Sequence, residues 1–529
     1  MSFISWQYFI FLPLVIICYW LLPVRRRLLL LLAGSYFFYG CWDVRFLALV
    51  LATTVIDYNC GLSIAGQKKG LWQVLGLSLT PAAWLLGCFL WLPASQISWS
   101  LLVISAAMGL AFFGIHEAIG LMPGDRRPKY YLILSIVFCL AILGFFKYFN
   151  FFTDSFKSLV GVIGFTADLP LLKIILPVGI SFYTFQSLGY VIDIYRGQWP
   201  ACADLLTFAT FDAFFPQMVS GPIERGKNLI PQLEQGASFR NSHLQDGLRL
   251  MLVGFFKKIF VADNCAILAN YAFDPKTSLN GYWAVIGAVA FAFQIYSDFS
   301  GYTDIARGSA KLLGIDLMEN FRFPYFSRTP SEFWGRWHIS LSTWFRDYLY
   351  IPLGGNRGAK WDTLRNLAIV MLLAGLWHGA SWVFVLWGAY HGALLILYRV
   401  VPPFDRIMDK KSQGGTWTWR DVAAVSLMFI LTLVGWAIFR SPSVAYLGTW
   451  FGALGNWNPA SGLSWESSSI WLVIHILPLI LLQVLTWKYR DEASLSQVPW
   501  LARGLVYAVM ILLIVSSGEQ DKEFIYFQF

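Results

Sequence analysis

Residues 371–392 read MLLAGLWHGASWVFVLWGAYHG, an apolar stretch that carries two histidines and decides how the fold is interpreted. The last charged residue before it is Arg365, and the twelve residues from Asn366 to Trp377 would rise about 18 Å as a helix. This rise would place His378 near the middle of a bilayer. An ionisable side chain at that depth is costly and predicts a function, whereas a buried imidazole bonded to a carbonyl or hydroxyl is the structural alternative.

Small residues flank this histidine on both sides. Gly375, Gly379 and Ala380 leave room either for a close backbone contact or for a narrow substrate passage beside it. A second histidine, His391, follows thirteen residues later and is interpreted as a supporting or packing residue.

The composition predicts a multi-span membrane protein. Of 529 residues, 57% are hydrophobic and 13% are charged, about half the charged fraction of a soluble domain. The net charge of +9 is typical of basic cytoplasmic loops and does not indicate nucleic-acid binding. The seven cysteines show no paired CxxC spacing, so neither a disulfide framework nor a metal site is predicted.

Basic loops suggest one orientation, with the N-terminus outside the cytoplasm. A first span at about 8–22 then delivers RRR (25–27) to the cytoplasm, and Lys68, Lys69 and GDRRPK (124–129) fall on the same side. Further spans are predicted at about 27–42, 44–65, 72–92, 100–122, 421–439, 469–486 and 500–517. We expect one integral domain over 1–529, with N-terminal spans (1–148), a core (149–400), C-terminal spans (401–518) and an outer aromatic tail (519–529).

Between about 150 and 360 the apolar stretches are shorter and interrupted, which predicts re-entrant and tilted helices. The segment YSDFSGYTDIARG (296–308) contains two acidic residues, Asp298 and Asp304, in an apolar setting. Pairing with Arg307 or with helix ends is their ordinary explanation.

The stretch SEFWGRWHISLSTWFRDYLYIPLGGNRG (331–358) has aromatic residues at helical spacing, which predicts one helix lying at an interface. His338 lies beside the aromatic stripe, where it either faces a cavity or completes the packing. The following turn is predicted to gather three basic residues near the cytoplasmic face, where they either meet donor phosphates or obey the positive-inside rule. These residues are Arg346, Arg357 and Lys360.

The remaining histidines have simpler interpretations. His116 and His243 are expected at the surface, and His475 is expected to be a packing residue in an apolar span. The chain has no Walker loop, HExxH motif or GxSxG triad order, so the common soluble-enzyme signatures are excluded.

Five segments together resemble the membrane-bound O-acyltransferase family, in its bacterial alginate O-acetyltransferase-like branch. The resemblance covers roughly residues 175–395. The segments are PVGISFYTFQSLGYVIDIYRG (177–197), FFPQMVSGPIERGKNLIPQL (214–233), YSDFSGYTDIARG (296–308), the stretch from 320 to 358, and LWHGASWVFVLWGAYHG (376–392).

The resemblance implies an all-α fold in which cavities from both membrane faces meet at a central histidine, His378, with His338 as the second family histidine. Trp377, His391, Asp298 and Asp304 would line or support this tunnel. The resemblance further implies a cytoplasmic thioester donor, acetyl-CoA, with no bound cofactor and no metal. The acceptor would be a surface polysaccharide, usually reached with a periplasmic partner of the SGNH-hydrolase type.

The chain ends DKEFIYFQF (521–529), with four aromatic residues in its last six positions. This tail resembles the aromatic, tyrosine-containing end of a small protein that acts in teichoic-acid D-alanylation. Tyr526 is therefore either an acyl carrier or an aromatic residue of the membrane interface. As a carrier it would need a base such as His378, because a tyrosine hydroxyl with a pKa near 10 is mostly protonated at neutral pH.

Other functions stay open at this level. Peptidoglycan, teichoic acid or a lipid could replace the polysaccharide as acceptor. A proton-coupled transporter is a different class, but the paired halves common in transporters are not evident. A scaffold that docks a periplasmic enzyme is the third. In each case a bacterial inner-membrane protein is expected, with its N-terminus and tail outside the cytoplasm.

Overall fold

The computed structural model describes residues 1–67, 69–93, 98–165, 169–401, 418–458, 464–487, 489, 495, 498–518 and 524–525. Contacts divide the chain into a first unit, residues 1–247 with 309–317, and a second unit, residues 248–308 with 318–529. The expectation of one integral membrane domain, with its subdivision, stays a prediction.

The first half of the chain is built of helices and short turns. They are α1 (Trp6–Leu21), α2 (Val24–Asp43), α3 (Leu47–Ile64), α4 (Leu71–Ser78), α5 (Thr80–Trp91), α6 (Trp99–Gly120), α7 (Arg127–Leu143), α8 (Phe149–Val162), α9 (Ile180–Tyr195), α10 (Leu205–Ala213), α11 (Phe215–Met218), α12 (Gly226–Gln235) and α13 (Asn241–Phe255).

The second half continues in the same way. Its helices are α14 (Asp263–Ala272), α15 (Gly281–Leu312), α16 (Pro330–Trp334), α17 (Ile339–Phe345), α18 (Lys360–His378), α19 (Trp382–Val400), α20 (Trp419–Arg440), α21 (Val444–Ala453), α22 (Trp465–Trp487) and α23 (Trp500–Ser516). The described residues contain no strand. The prediction of an all-α fold is confirmed.

Among the described residues, seven helical stretches are long and apolar enough to cross a membrane, or eight if a bent pair is one span. The bent pair is α4 with α5, which meet at 42° where one span at about 72–92 was expected. The predictions at about 100–122, 421–439 and 469–486 correspond to α6, α20 and α22. The protein is therefore a multi-pass membrane protein, as predicted.

The expected irregular region is correct in part. Wider π-helical turns at Phe256–Ala262 and Arg346–Tyr350 interrupt it. However, the segment 296–308 lies inside α15, a single helix of 32 residues. The prediction of one interface helix over 331–358 is wrong, because α16 and α17 are separate and Trp337 between them is completely buried.

Candidate active site

A tight helical hairpin positions His378. It is the last residue of α18, and α19 begins four residues later at Trp382. A Cβ on Gly375 would lie 2.2 Å from the Phe384 carbonyl oxygen, so the two helices pack backbone against backbone. Of the two roles predicted for the small residues, the structure shows close backbone contact at Gly375.

Aromatic rings surround the His378 side chain, which is 3% exposed. Its ring centre lies 5.0 Å from that of Trp377, 4.9 Å from that of Trp387 and 5.5 Å from that of Phe439. All three rings meet the imidazole nearly edge to face. Packing of this kind holds the ring in one orientation and excludes water from it.

His338 lies at the break between α16 and α17, and its side chain is completely buried. Its backbone has φ 44°, a left-handed conformation that is uncommon for a residue with a side chain. Asn320 holds the following residues, because its carbonyl accepts the Ile339 N–H (2.9 Å) and its Oδ1 accepts the Ser340 N–H (3.2 Å). Unusual backbone fixed by its surroundings is concentrated at functional sites.

The fold brings the two histidines together although forty positions separate them. Their ring centres are 6.4 Å apart, and the Trp377 ring lies 5.7 Å from that of His338. The pair therefore forms a buried, polar centre in an aromatic shell. Asn320 and Phe439 belong to this centre and were missed, since nothing in the sequence pattern marks them.

His391 lies one layer away from the pair. It is 1% exposed, and its ring is parallel to that of Phe333 at 6.0 Å and 4.9 Å from that of Trp387. Trp387 thus separates His391 from His378. This position agrees with a supporting residue, as the sequence suggested.

The two acidic residues of α15 have lysine partners. The Lys257 Nζ lies 2.8 Å from Asp304, and the Lys258 Nζ lies 2.8 Å from Asp298. The expected contact of Asp304 with Arg307 is also present, at 3.7 Å. The lysines were missed, although two adjacent cations in the apolar run MLVGFFKKIFVA (251–262) were a signal.

The three predicted donor-binding residues do not lie with the histidines in the buried centre. Arg346, Arg357 and Lys360 are exposed, and Arg346 Nε donates to Asp347 at 2.7 Å. The turn that carries Arg357 is anchored from below by the fully buried Asn366, whose Nδ2 donates to the Gly355 carbonyl at 3.2 Å.

The C-terminal tail enters the second unit. Tyr526 lies outside the described residues, but Phe524 and Ile525 are 1% and 2% exposed. The Phe524 ring centre lies 5.8 Å from that of Phe299, which in turn lies 4.7 Å from that of His338. The described part of the tail is therefore one ring away from the histidine pair.

Two of the remaining histidines are clearly resolved by their contacts. The surface prediction for His116 is wrong, since it is 5% exposed and lies 2.9 Å from the Ser63 hydroxyl. His475 is a packing residue, as expected, with its Nδ1 2.7 Å from the Trp471 carbonyl oxygen. His243 is half-buried rather than on the surface. Within the described residues, no group of three or more His, Cys, Asp or Glu could hold a metal ion.

Fold and site together define a polytopic membrane protein with a buried histidine pair. Residues 202–437 match MBOAT, the membrane-bound O-acyltransferase family. The chain is 38% identical to the probable alginate O-acetylase AlgI of Pseudomonas syringae pv. tomato, over 85% of this chain and 74% of that protein. It is 30% identical to the peptidoglycan O-acetyltransferase of Helicobacter pylori, over 82% and 76%. The chain belongs to the membrane-bound O-acyltransferase family and is a membrane O-acyltransferase.

Weaker similarity extends to a third kind of enzyme. The teichoic acid D-alanyltransferase of Bacillus subtilis is 28% identical over 49% of this chain and 68% of that protein. At the other extreme, the probable alginate O-acetylase AlgI of Pseudomonas putida is 34% identical over 98% of both chains. The similarity is therefore most complete toward the alginate proteins.

Proposed function

We propose that this protein transfers an acetyl group from cytoplasmic acetyl-CoA across the bacterial inner membrane toward an extracytoplasmic polysaccharide. The observation that carries the proposal is the buried pair His338 and His378, 6.4 Å apart between ring centres, with the tail one ring away. A cytoplasmic donor and an outer acceptor require a reactive centre inside the protein. An alginate-like polymer is favoured because the alginate O-acetylases match nearly the whole chain.

In the proposed first step, His378 accepts the phenolic proton of Tyr526 while the phenolic oxygen bonds to the thioester carbonyl carbon. The carbon–sulfur bond breaks, and the proton passes to the sulfur, which leaves as coenzyme A. In the second step, a hydroxyl of the polymer or of an SGNH-type periplasmic partner attacks the tyrosyl ester. The proton of that hydroxyl restores the phenol.

The other site residues have narrower proposed roles. His338 either shares the proton transfer or orients the donor thioester. Arg346, Arg357 and Lys360 would hold the phosphates of acetyl-CoA, because exposed cations can meet a charged, hydrated group that a buried aromatic shell would reject. Trp377, His391, Asp298 and Asp304 would shape the interior around the reaction.

The test is mass spectrometry of the C-terminal peptide after incubation of the purified protein with deuterium-labelled acetyl-CoA. We expect labelled acetyl on Tyr526 in the wild type and none in Tyr526→Phe. His378→Ala should lower the labelling by about 100-fold or more, since general-base catalysis contributes that much. His475→Ala, which changes a packing histidine, is the matched control and should label normally.

Polymer acetylation in cells separates the relay from direct transfer. If Tyr526→Phe acetylates polymer at the wild-type rate, the relay is wrong and direct transfer at His378 replaces it. If His378→Ala also acetylates normally, the chain is a scaffold. Proton-coupled flux in liposomes without coenzyme A release would indicate a transporter instead. Extracts of peptidoglycan from the same cells distinguish the second acceptor, which the Helicobacter pylori relative suggests.

A further inference from the structure

We propose that Asp298, held in place by Lys258, is the positioning residue that fixes the C-terminal tail inside the second unit. The backbone N–H of Ile525 donates to the Asp298 Oδ2 at 2.6 Å. This contact joins residues 227 positions apart. It is a binding site for the chain's own end, and it would deepen the proposed function by setting where the tail stops.

A close crossing of two elements builds the site. A Cβ on Gly254 would lie 2.6 Å from the Gly301 carbonyl oxygen, and one on Gly301 would lie 2.8 Å from the Gly254 carbonyl oxygen. The backbones therefore touch where larger residues would separate them. This contact brings the π-helical turn that carries Lys258 against the α15 turn that carries Asp298.

The carboxylate is oriented before the tail reaches it. Lys258 Nζ lies 2.8 Å from Asp298 Oδ1 and 2.8 Å from Asp263 Oδ1, and these three side chains are at most 3% exposed. Because Oδ1 faces the lysine, Oδ2 is directed to the Ile525 amide. A hydrogen bond from an amide to a buried carboxylate is stronger than one to a neutral acceptor.

One face of α15 receives the residue before Ile525. The Phe524 ring centre lies 4.5 Å from that of Tyr302, which is four residues after Asp298 and hence on the same helix face. The neighbouring Phe299 contacts both Phe524 and His338. Backbone and side chain of the tail are thus held by one short helical surface beside the histidine.

The consequence for acyl transfer rests on the proposed function. Tyr526 directly follows Ile525, and consecutive Cα atoms are about 3.8 Å apart. A tail fixed at the Ile525 amide therefore limits where the proposed acyl carrier can lie. Loss of the Asp298 contact would let the tail slide or leave, and transfer would slow without any change in the histidines.

Controlled digestion of the full-length protein by a carboxypeptidase tests the contact. The measurement is the rate at which residues 527–529 are removed, followed by intact mass. Ile525→Pro removes the amide donor and leaves the Asp298, Lys258 and Asp263 cluster untouched. Ile525→Ala keeps the donor and is the matched control. We expect Ile525→Pro to be trimmed at least 10-fold faster than Ile525→Ala.

Variants of the acceptor complete the test. Asp298→Asn keeps an oxygen acceptor and should protect the tail better than Asp298→Ala, whereas a purely structural role for Asp298 predicts no ranking in tail protection once both variants melt alike. Equal trimming of Ile525→Pro, Ile525→Ala and wild type would overturn the proposal. Faster trimming of Ile525→Pro with undiminished acyl transfer would keep the positioning role and remove the carrier role of the tail.

Discussion

Two helices of similar character to a sequence analysis, α6 and α15, have opposite surroundings. The most apolar window of α6 is 17% buried within the protein, and that of α15 is 83% buried. The less buried helix is the more apolar one, with a mean hydropathy of 1.8 against 1.2. In a membrane protein, low hydropathy in a long helix thus marks contact with protein rather than weak insertion.

The polar residues of α15 explain the difference. Asp298 and Asp304 each have a lysine partner at 2.8 Å, so the charges are compensated inside the protein. Charged groups in contact with lipid would have no such compensation. The helix that looks least like a span therefore lies beside the histidine pair, while α6 contacts mostly lipid.

Loss of a cation beside α15 should have the largest effect. Lys258→Ala leaves Asp298 and Asp263 buried without their shared partner, and breaking a buried pair costs about 3–5 kcal/mol. We expect poor folding, measured as loss of the monodisperse peak and of melting temperature in detergent. The exposed Lys129→Ala should behave as wild type, and equal stability of the two variants would contradict the account of α15.

A core truncation in α15 should come next. Ile305 is completely buried, and Ile305→Ala is expected to cost roughly 2–5 kcal/mol through lost contacts and a cavity. Thermal unfolding of the purified protein measures this loss. A change of less than about 0.5 kcal/mol would show that this part of α15 is loosely packed.

Asn320→Ala should affect the site more specifically. It removes the acceptor of the Ser340 N–H and is expected to cost about 1–3 kcal/mol. Because the left-handed backbone of His338 depends on this contact, acyl transfer should fall further than stability does. The exposed Asn356→Ala is the control, and unchanged coenzyme A release in Asn320→Ala would exclude a positioning role.

The smallest effect is expected on α6. Leu110 is 51% exposed, so Leu110→Ala should change stability by less than about 0.5 kcal/mol. Its unfolding is compared with that of Ile305→Ala under identical conditions. A large loss at Leu110 would mean that another protein surface covers α6 and would weaken the contrast between the two helices.

The sequence predicted much of the architecture and part of the site. Span positions at α6, α20 and α22 followed from apolar length, and His378 was selected because an imidazole in an apolar run is unusual. The single helix over 331–358 was wrong because helical spacing of aromatic residues continues across a backbone break. That break at His338 is stabilised by Asn320, which lies outside the periodic segment.

The amino-acid sequence by itself determined a multi-span helical membrane protein, because apolar length and charge act locally. The tertiary structure alone decided that His338 meets His378, that Lys258 is the partner of Asp298, and that Ile525 reaches the same carboxylate. These contacts join residues far apart in the chain. Their distances depend on close helix crossings at glycines, which local sequence patterns do not encode.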